Sequence, residues 1–359
     1  MRRNGIFIAV SVAVIAVLYV YSQLMVPMAA DQSVVEVKIE KGTSYGGAIN
    51  LLKEKGLVKD RMLFKALGRL TGLDKHLSPG FYQFPGGVRP WDVFRALSAG
   101  NIVQWKVTIV EGNTLMDVRE ALVSAGIMNA EDFDKYTTDH DFLERLGINA
   151  PSLEGYLFPD TYAISKGATP EDVFEMMVHR LEEVFDEDMT RRAEFLGMTR
   201  RQILTLASII EKEAILDSER PIISGVYHNR LNIGMPLQAD PTAIYGIKPQ
   251  SAGITRSDIM RKTAYNTYFI KGLPPGPIAA PGLKSIKAAL YPKNVPYLYF
   301  VANLQGGHTF SITMEEHLIA IQDYRDRKLA AKLEDEAGGD DGEDGEQVQG
   351  QDQGEDKEQ

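Results

Sequence analysis

Glu211 and Glu213 stand two positions apart at the end of a stretch, Thr199 to Ala214, in which Ile203, Leu206, Ala207, Ile210 and Ala214 recur at helical spacing. At about 100° per residue, Glu211 lies some 60° from the centre of that apolar face and Glu213 about 100° away on the opposite shoulder, with Lys212 outward. Glu211 is therefore the carboxylate expected to lose more of its water. Desolvation raises a carboxyl pKa, which a general acid working near neutral pH requires. Position on a helix does not by itself separate this reading from a hydrogen-bonded structural glutamate. Asp217, Glu219 and Asp240 follow closely and could each supply the second carboxylate of a hydrolase, or serve as surface charge and caps. Glu154 could line a cleft or anchor its own loop.

Metal and phosphate chemistry find less support. His228, His308 and His317 form no His-Glu-x-x-His pattern and no i, i+4 pair on one predicted helix, and the chain has no cysteine. No glycine-rich segment ends in the Gly-Lys-Ser/Thr of a phosphate loop. These features imply no metal and no cofactor.

The elements that must position Glu211 form a mixed α+β pattern. Thr199 is a good N-cap for its helix, and Thr169 to Phe185 reads as another, with Pro170 at the first helical position. Ser152 to Tyr162 is dense in Gly, Pro and aromatic residues and predicts an ordered loop. Beyond Gly225, short apolar strands such as Tyr297 to Val301 alternate with loops such as Gly272 to Gly282. Earlier in the chain, Val34 to Ile39 alternates as a strand does, and Lys41-Gly42-Thr43-Ser44 turns into a helix carrying Ala48, Leu51 and Leu52 that stops at Gly56. Further helices are predicted over Asp60 to Leu70 and Trp91 to Leu97. The layout recurs seventy positions on: Val37, Ile39, Gly42, Leu52, Gly56 and Leu57 align without a gap with Val107, Ile109, Gly112, Leu122, Gly126 and Ile127.

No charged residue occurs from Gly5 to Ala30, enough helix to cross a bilayer core of about 30 Å, and Arg2 and Arg3 precede it. The expected topology is a cytoplasmic N-terminus over residues 1–4, a single transmembrane anchor over 5–30, and an exported body. A cleaved signal peptide is the competing reading, since Met28-Ala29-Ala30 ends in small residues; the length of the uncharged run favours retention. At the other end, Glu334 to Gln359 carries twelve acidic residues and one Lys against a net −10 for the whole chain. This acidic tail, 334–359, is expected to be disordered. Without it the body is near neutral, which argues against nucleic acid as a partner.

Several long motifs, taken together, resemble the YceG-like family, the endolytic murein transglycosylases. They are Leu-Glu-Gly-Tyr-Leu-Phe-Pro-Asp-Thr-Tyr from Leu153, Ala-Ser-Ile-Ile-Glu-Lys-Glu-Ala from Ala207, Asn-Arg-Leu-Asn-Ile-Gly-Met-Pro-Leu-Gln-Ala-Asp-Pro-Thr from Asn229, and Tyr-Asn-Thr-Tyr from Tyr265. Gly-Leu-Pro-Pro-Gly-Pro-Ile-Ala-Ala-Pro-Gly from Gly272, Tyr-Leu-Tyr-Phe-Val and Gly-Gly-His-Thr-Phe complete the set. Pro277 stands where a small residue is usual.

The resemblance implies a LysM-like module over 34–100, a mixed α+β YceG-like catalytic domain over 101–330, and Glu211 as the catalytic residue. The reaction it implies is cleavage of the β-1,4 bond between N-acetylmuramic acid and N-acetylglucosamine, with the sugar's own C6 hydroxyl as nucleophile, leaving 1,6-anhydro ends. One carboxylate then suffices where an ordinary glycosidase needs two. Glu154, Asn229, Gln238, Asp240, Tyr265, Asn266 and Tyr268 become candidates for substrate binding, the amides for N-acetyl and hydroxyl groups and the rings for sugar faces. Peptidoglycan glycan strands, the inner membrane and peptidoglycan synthases are the partners expected. A non-catalytic glycan-binding scaffold and a two-carboxylate muramidase remain the alternatives.

Overall fold

The computed structural model describes residues 2–28, 33–249 and 252–338. They fall into two compact units, one made of the residues up to Leu204 with Gly276–Leu283, the other of Thr205–Pro275 with the residues from Lys284 on. The architecture is mixed α+β, with three two-stranded antiparallel sheets among the described residues.

The first unit opens with α1 (Arg2–Leu24), of which Ile6–Leu24 is long and apolar enough to cross a membrane. Then come β1 (Val35–Ile39), α2 (Tyr45–Glu54), α3 (Arg61–Thr71), β2 (Gly80–Phe84) and α4 (Pro90–Ser98). Strand β1 pairs with β2, Val37 opposite Tyr82, and the helices pack on that sheet around Ile49, Leu52, Phe64, Phe94 and Leu97. Local chemistry explains the helix ends. Ser44 caps α2, Asp60 accepts from the Met62 and Leu63 amides to cap α3, and Gly72 ends α3 in the left-handed conformation. Gly68 is required by close approach: a Cβ there would lie 2.1 Å from the Tyr45 ring, whose hydroxyl donates to Phe64 O.

The end of α1 is joined to this module. Leu24 is buried in the module's core, and Tyr19 OH donates to Asp60 Oδ2 at 2.6 Å. Lys59 Nζ donates to Val26 O at 3.0 Å, and Met28 N to Val88 O at 3.3 Å.

The rest of the first unit repeats the strand-turn-helix layout. It contains β3 (Gln104–Thr108), α5 (Leu115–Ser124), α6 (Ala130–Thr138), α7 (His140–Arg145), β4 (Thr161–Ser165), α8 (Pro170–Val184) and α9 (Glu187–Phe195). Thr114 and Asp117 form a reciprocal capping box on α5, as Thr169 and Asp172 do on α8. Strands β3 and β4 pair with Val107 opposite Tyr162, so the predicted loop ends two residues earlier than expected, at Asp160. Phe133, Phe142 and Phe174 meet edge to face in the core.

The segment Gly276–Leu283 closes this unit. Ala280 O accepts from Gly112 N and Ala280 N donates to Asn113 O, each at 2.8 Å. Pro277 packs on Gly155: a Cβ on that glycine, whose φ is +78°, would sit 2.3 Å from Pro277 Cβ. Gly155→Ala should therefore cost roughly 2–4 kcal/mol through left-handed strain and overpacking, read as a lower urea midpoint.

Helix α10 (Arg200–Glu213) spans the division between the units. The second unit continues with α11 (Arg220–Asn232), α12 (Asp240–Ile244), α13 (Arg256–Ile259), α14 (Leu283–Leu290), the hairpin β5 (Tyr299–Ala302) and β6 (His308–Ser311), and α15 (Met314–Gly338). The segment expected to lack structure from Glu334 is helical through Gly338; residues 339–359 lie outside the described residues.

Candidate functional site

Thr199 and Gln202 cap α10 reciprocally: Gln202 N donates to Thr199 Oγ1 at 3.2 Å and Thr199 N to Gln202 Oε1 at 2.8 Å. The helix is then buried on every side. Ile203, Leu204, Leu206, Ala207, Ile209 and Ile210 are fully enclosed, as are Thr205 and Ser208. A helix of this kind has no solvent shoulder through its middle, so the apolar face does not decide which of its last carboxylates is drier. Both stand where the buried helix ends.

Glu211 has a side chain only 5 % exposed. Its Oε1 accepts from Arg220 Nη1 at 2.9 Å, and the same guanidinium donates to Ser285 Oγ at 2.5 Å and, through Nε, to Asp217 Oδ1 at 3.0 Å. Asp217 is in turn paired with Lys284, and these bonds, Lys284 first and then Arg220, hold its carboxyl below the usual range. Arg220 thus ties the C-terminal end of α10 to the first turn of α11 and to α14. Sequence reasoning passed it over; the available signal was Asp217 three positions before Arg220 at a helix start, a spacing that suits an ion pair.

Glu213 faces a different neighbourhood. Burial, then the carboxylate of Asp240, push its pKa up to about 8, against stabilising bonds from Tyr227 OH and the Asp240 backbone N–H. Asp240 opens α12 and accepts from Tyr268 OH at 2.6 Å. Glu213, two residues beyond Glu211, is thus a carboxyl that its surroundings push up. A pH dependence of stability follows. The folded state keeps a proton that the unfolded chain releases above about 4.5, so this group's contribution is full below that pH and is lost as pH rises toward 8. Glu213→Gln should flatten that decline, removing a slope of up to ~1.4 kcal/mol per pH unit, as urea midpoints taken at pH 5 to 8 will report.

The turn leading into α12 is strained. Gln238 has φ +51°, the sole non-glycine residue with positive φ among those described. Its Oε1 accepts from Arg230, its backbone N–H donates to Thr267 O, and its side chain is exposed. Thr242 and Thr267 hydroxyls pair beneath it at 2.8 Å. Gln238, Asp240, Tyr268 and Glu213 are therefore parts of one connected network. Tyr265 packs against Tyr245 with ring centroids 4.6 Å apart and ring planes tilted by 45°.

Other candidates are committed elsewhere. The Asn229 amide donates to Val295 O and Tyr297 O, and the buried Asn266 amide to Ile259 O and Arg261 O. Glu154, in the first unit and 5 % exposed, accepts from Leu115 N with both oxygens at the start of α5. Glu219 holds His308 through its ring Nδ1 at 2.7 Å and its backbone N–H at 2.8 Å. Among the described residues no group of three His, Asp or Glu side chains is placed to hold a metal.

A model of the YceG-like family matches residues 37–323, and both Glu211 and Arg220 fall within that span. The chain belongs to the YceG-like family. It is 29 % identical over 321 residues to an endolytic murein transglycosylase of Bacillus subtilis, covering 84 % of this chain and 88 % of that one. A protein of the same name from Streptococcus pneumoniae is 26 % identical over 87 % of this chain and 62 % of its own length. Among solved structures, a yceG-like protein of Listeria monocytogenes aligns with a TM-score of 0.55 and 31 % identity, over 80 % of this chain and 99 % of that one.

Proposed function

We infer that this protein is an endolytic peptidoglycan lytic transglycosylase that cuts the β-1,4 bond between N-acetylmuramic acid and N-acetylglucosamine within glycan strands, leaving 1,6-anhydro ends. Membership of the family and the relatives' names support the activity. The observation that carries the mechanism is Glu211, enclosed at the end of a buried helix and oriented by Arg220. Its neighbours have other duties: Asp217 binds Arg220 and Lys284, Glu219 binds His308, and Glu213 accepts from Tyr227 OH and the Asp240 backbone N–H. This favours chemistry with one carboxylate over the pair that a hydrolase needs.

Glu211 donates its proton to the glycosidic oxygen as the C1–O4 bond breaks. The C6 hydroxyl of the same muramic residue attacks C1, and Glu211, now a carboxylate, takes the hydroxyl proton. No proton is gained or lost overall. Because nucleophile and electrophile belong to one sugar, the attack needs no water held on the far face. Arg220 steadies the carboxylate between the two transfers. Gln238, on its strained exposed turn, and the rings of Tyr265 and Tyr268 are the side chains we assign to the glycan; Asp240 positions Tyr268.

The same reading places α1 in the inner membrane as a single-pass anchor, with Arg2 and Arg3 cytoplasmic and the body outside. It makes the strand-helix-helix module over 34–100 a LysM-like glycan holder. An anchored cutter of new strands would end their elongation beside the synthases that make them. Digestion of purified sacculi and nascent strands, with mass spectrometry of the new ends, tests the activity. Anhydro ends are the expected product; reducing ends would make the protein a hydrolase, and uncut strands a scaffold.

A further inference from the structure

Helix α3 presents two parallel strips at i, i+4, i+8 spacing. One is apolar, Met62, Ala66 and Leu70, with Met62 75 % and Leu70 82 % exposed. The other is basic, Arg61, Lys65 and Arg69. At about 100° per residue they lie side by side on the helix, while Phe64 and Gly68 face the core. An apolar strip flanked by cations is the pattern of a helix that lies in a membrane interface, its apolar side chains among the acyl boundaries and its cations among phosphates. The module as a whole is basic, with eleven Lys and Arg against six Asp and Glu over residues 34–100, in a chain whose net charge is −10.

The position of α3 on the anchor says which surface it meets. Ile6–Leu24 is 19 residues, which at 1.5 Å each is about the thickness of a hydrocarbon core. The cap of α3, Asp60, is bonded to Tyr19, five residues before the end of that span and so roughly 7 Å short of it. Lys59 reaches Val26 O, and Leu24 is seated in the module. The first turn of α3 is thus level with the bilayer edge from which α1 emerges. Asp60 tolerates that depth because its carboxylate already accepts from Tyr19 OH and the Met62 and Leu63 amides.

We propose that the exposed face of α3 is a lipid-binding surface that lies on the leaflet from which the anchor emerges and prefers anionic headgroups. The inference rests on the reading of α1 as a membrane anchor. Lipid phosphates meet Arg61, Lys65 and Arg69, and Met62 and Leu70 enter the acyl boundary.

The chain has no cysteine, so single cysteines can be placed and labelled at will. The full-length chain is reconstituted in phosphatidylcholine vesicles with and without phosphatidylglycerol, carrying an environment-sensitive fluorophore at Val12→Cys, Met62→Cys, Leu70→Cys or Glu40→Cys. Quenching by lipids spin-labelled at shallow or deep positions is then measured. Deep quenching at residue 12 reports the anchor. Shallow quenching at 62 and 70 at least twofold above that at 40, increased by phosphatidylglycerol and reduced by Arg61→Glu with Arg69→Glu, is the expected result. Deep quenching at 12 with 62 and 70 no different from 40 overturns the proposal and leaves the anchor standing. Absence of quenching at 12 overturns both. Protection of 62 and 70 by added glycan strands, without lipid quenching, makes the face a glycan site instead.

Discussion

Glu211→Gln will leave glycan strands uncut while the chain still folds and still binds them. General acid or base catalysis by one side chain is worth about 10²–10⁴ in rate, and in the mechanism proposed above Glu211 serves in both halves of the reaction, so the loss should reach the upper end, about 10⁴-fold. The amide keeps an acceptor for Arg220 Nη1, and Asp217 still bonds the guanidinium, so the cost in stability should stay near 1–3 kcal/mol. Time courses of anhydro-end formation, glycan pull-down and a urea melt on one preparation separate the three quantities. Activity within tenfold of the parent would remove Glu211 from the mechanism.

Arg220→Lys will cost at least about 10²-fold in kcat with KM little changed. A guanidinium reaches Glu211, Ser285 and Asp217 at once from two nitrogens; an ammonium on a flexible stem cannot hold that fork. The carboxylate then loses its fixed direction, and a misplacement of about 1 Å is enough for such a loss. Arg220→Met, which takes the guanidinium from the enclosed Glu211 carboxylate, should destabilise by roughly 3–5 kcal/mol. The combination with Glu211→Gln should be strongly non-additive, since two side chains joined by one bond cannot each contribute it separately. Equal falls in kcat for single and double variants would support that coupling, and a raised KM with unchanged kcat would assign Arg220 to binding.

Where the chain announces its helices with caps and a single apolar stripe, the sequence was readable. Asp60, Thr169 with Pro170, and Thr199 mark starts within a residue of those observed. Helix α11 escaped because its buried face is not apolar: Arg220, Ser224 and Arg230 lie inside with Ile223, Val226 and Tyr227, and a buried cation breaks the periodicity that betrays a helix. Strand β4 escaped because its partner β3 lies more than fifty residues back, and Thr161 looks like the end of the preceding loop.

At the site, motif resemblance led to Glu211, but its surroundings were not legible. A helix enclosed all round has no shoulder to argue from, and Arg220 reaches Glu211 from nine positions away across a turn. Asn229 and Asn266 each give their amide N–H groups to two backbone carbonyls, a commitment that is indistinguishable, in sequence, from an amide facing a substrate.

The segment Gly276–Leu283 has a consequence for how the chain is made. The first unit is complete only when Ala280 has paired with Gly112 and Asn113 and Pro277 has settled on Gly155. During synthesis those residues follow all of Thr205–Pro275, so the earlier half must wait, partly assembled, for some seventy residues of its neighbour to emerge. A chain cut at Leu204 would lack the closing segment and leave Gly112 and Asn113 without these backbone partners, so the division between the two units is a poor place to cut the protein.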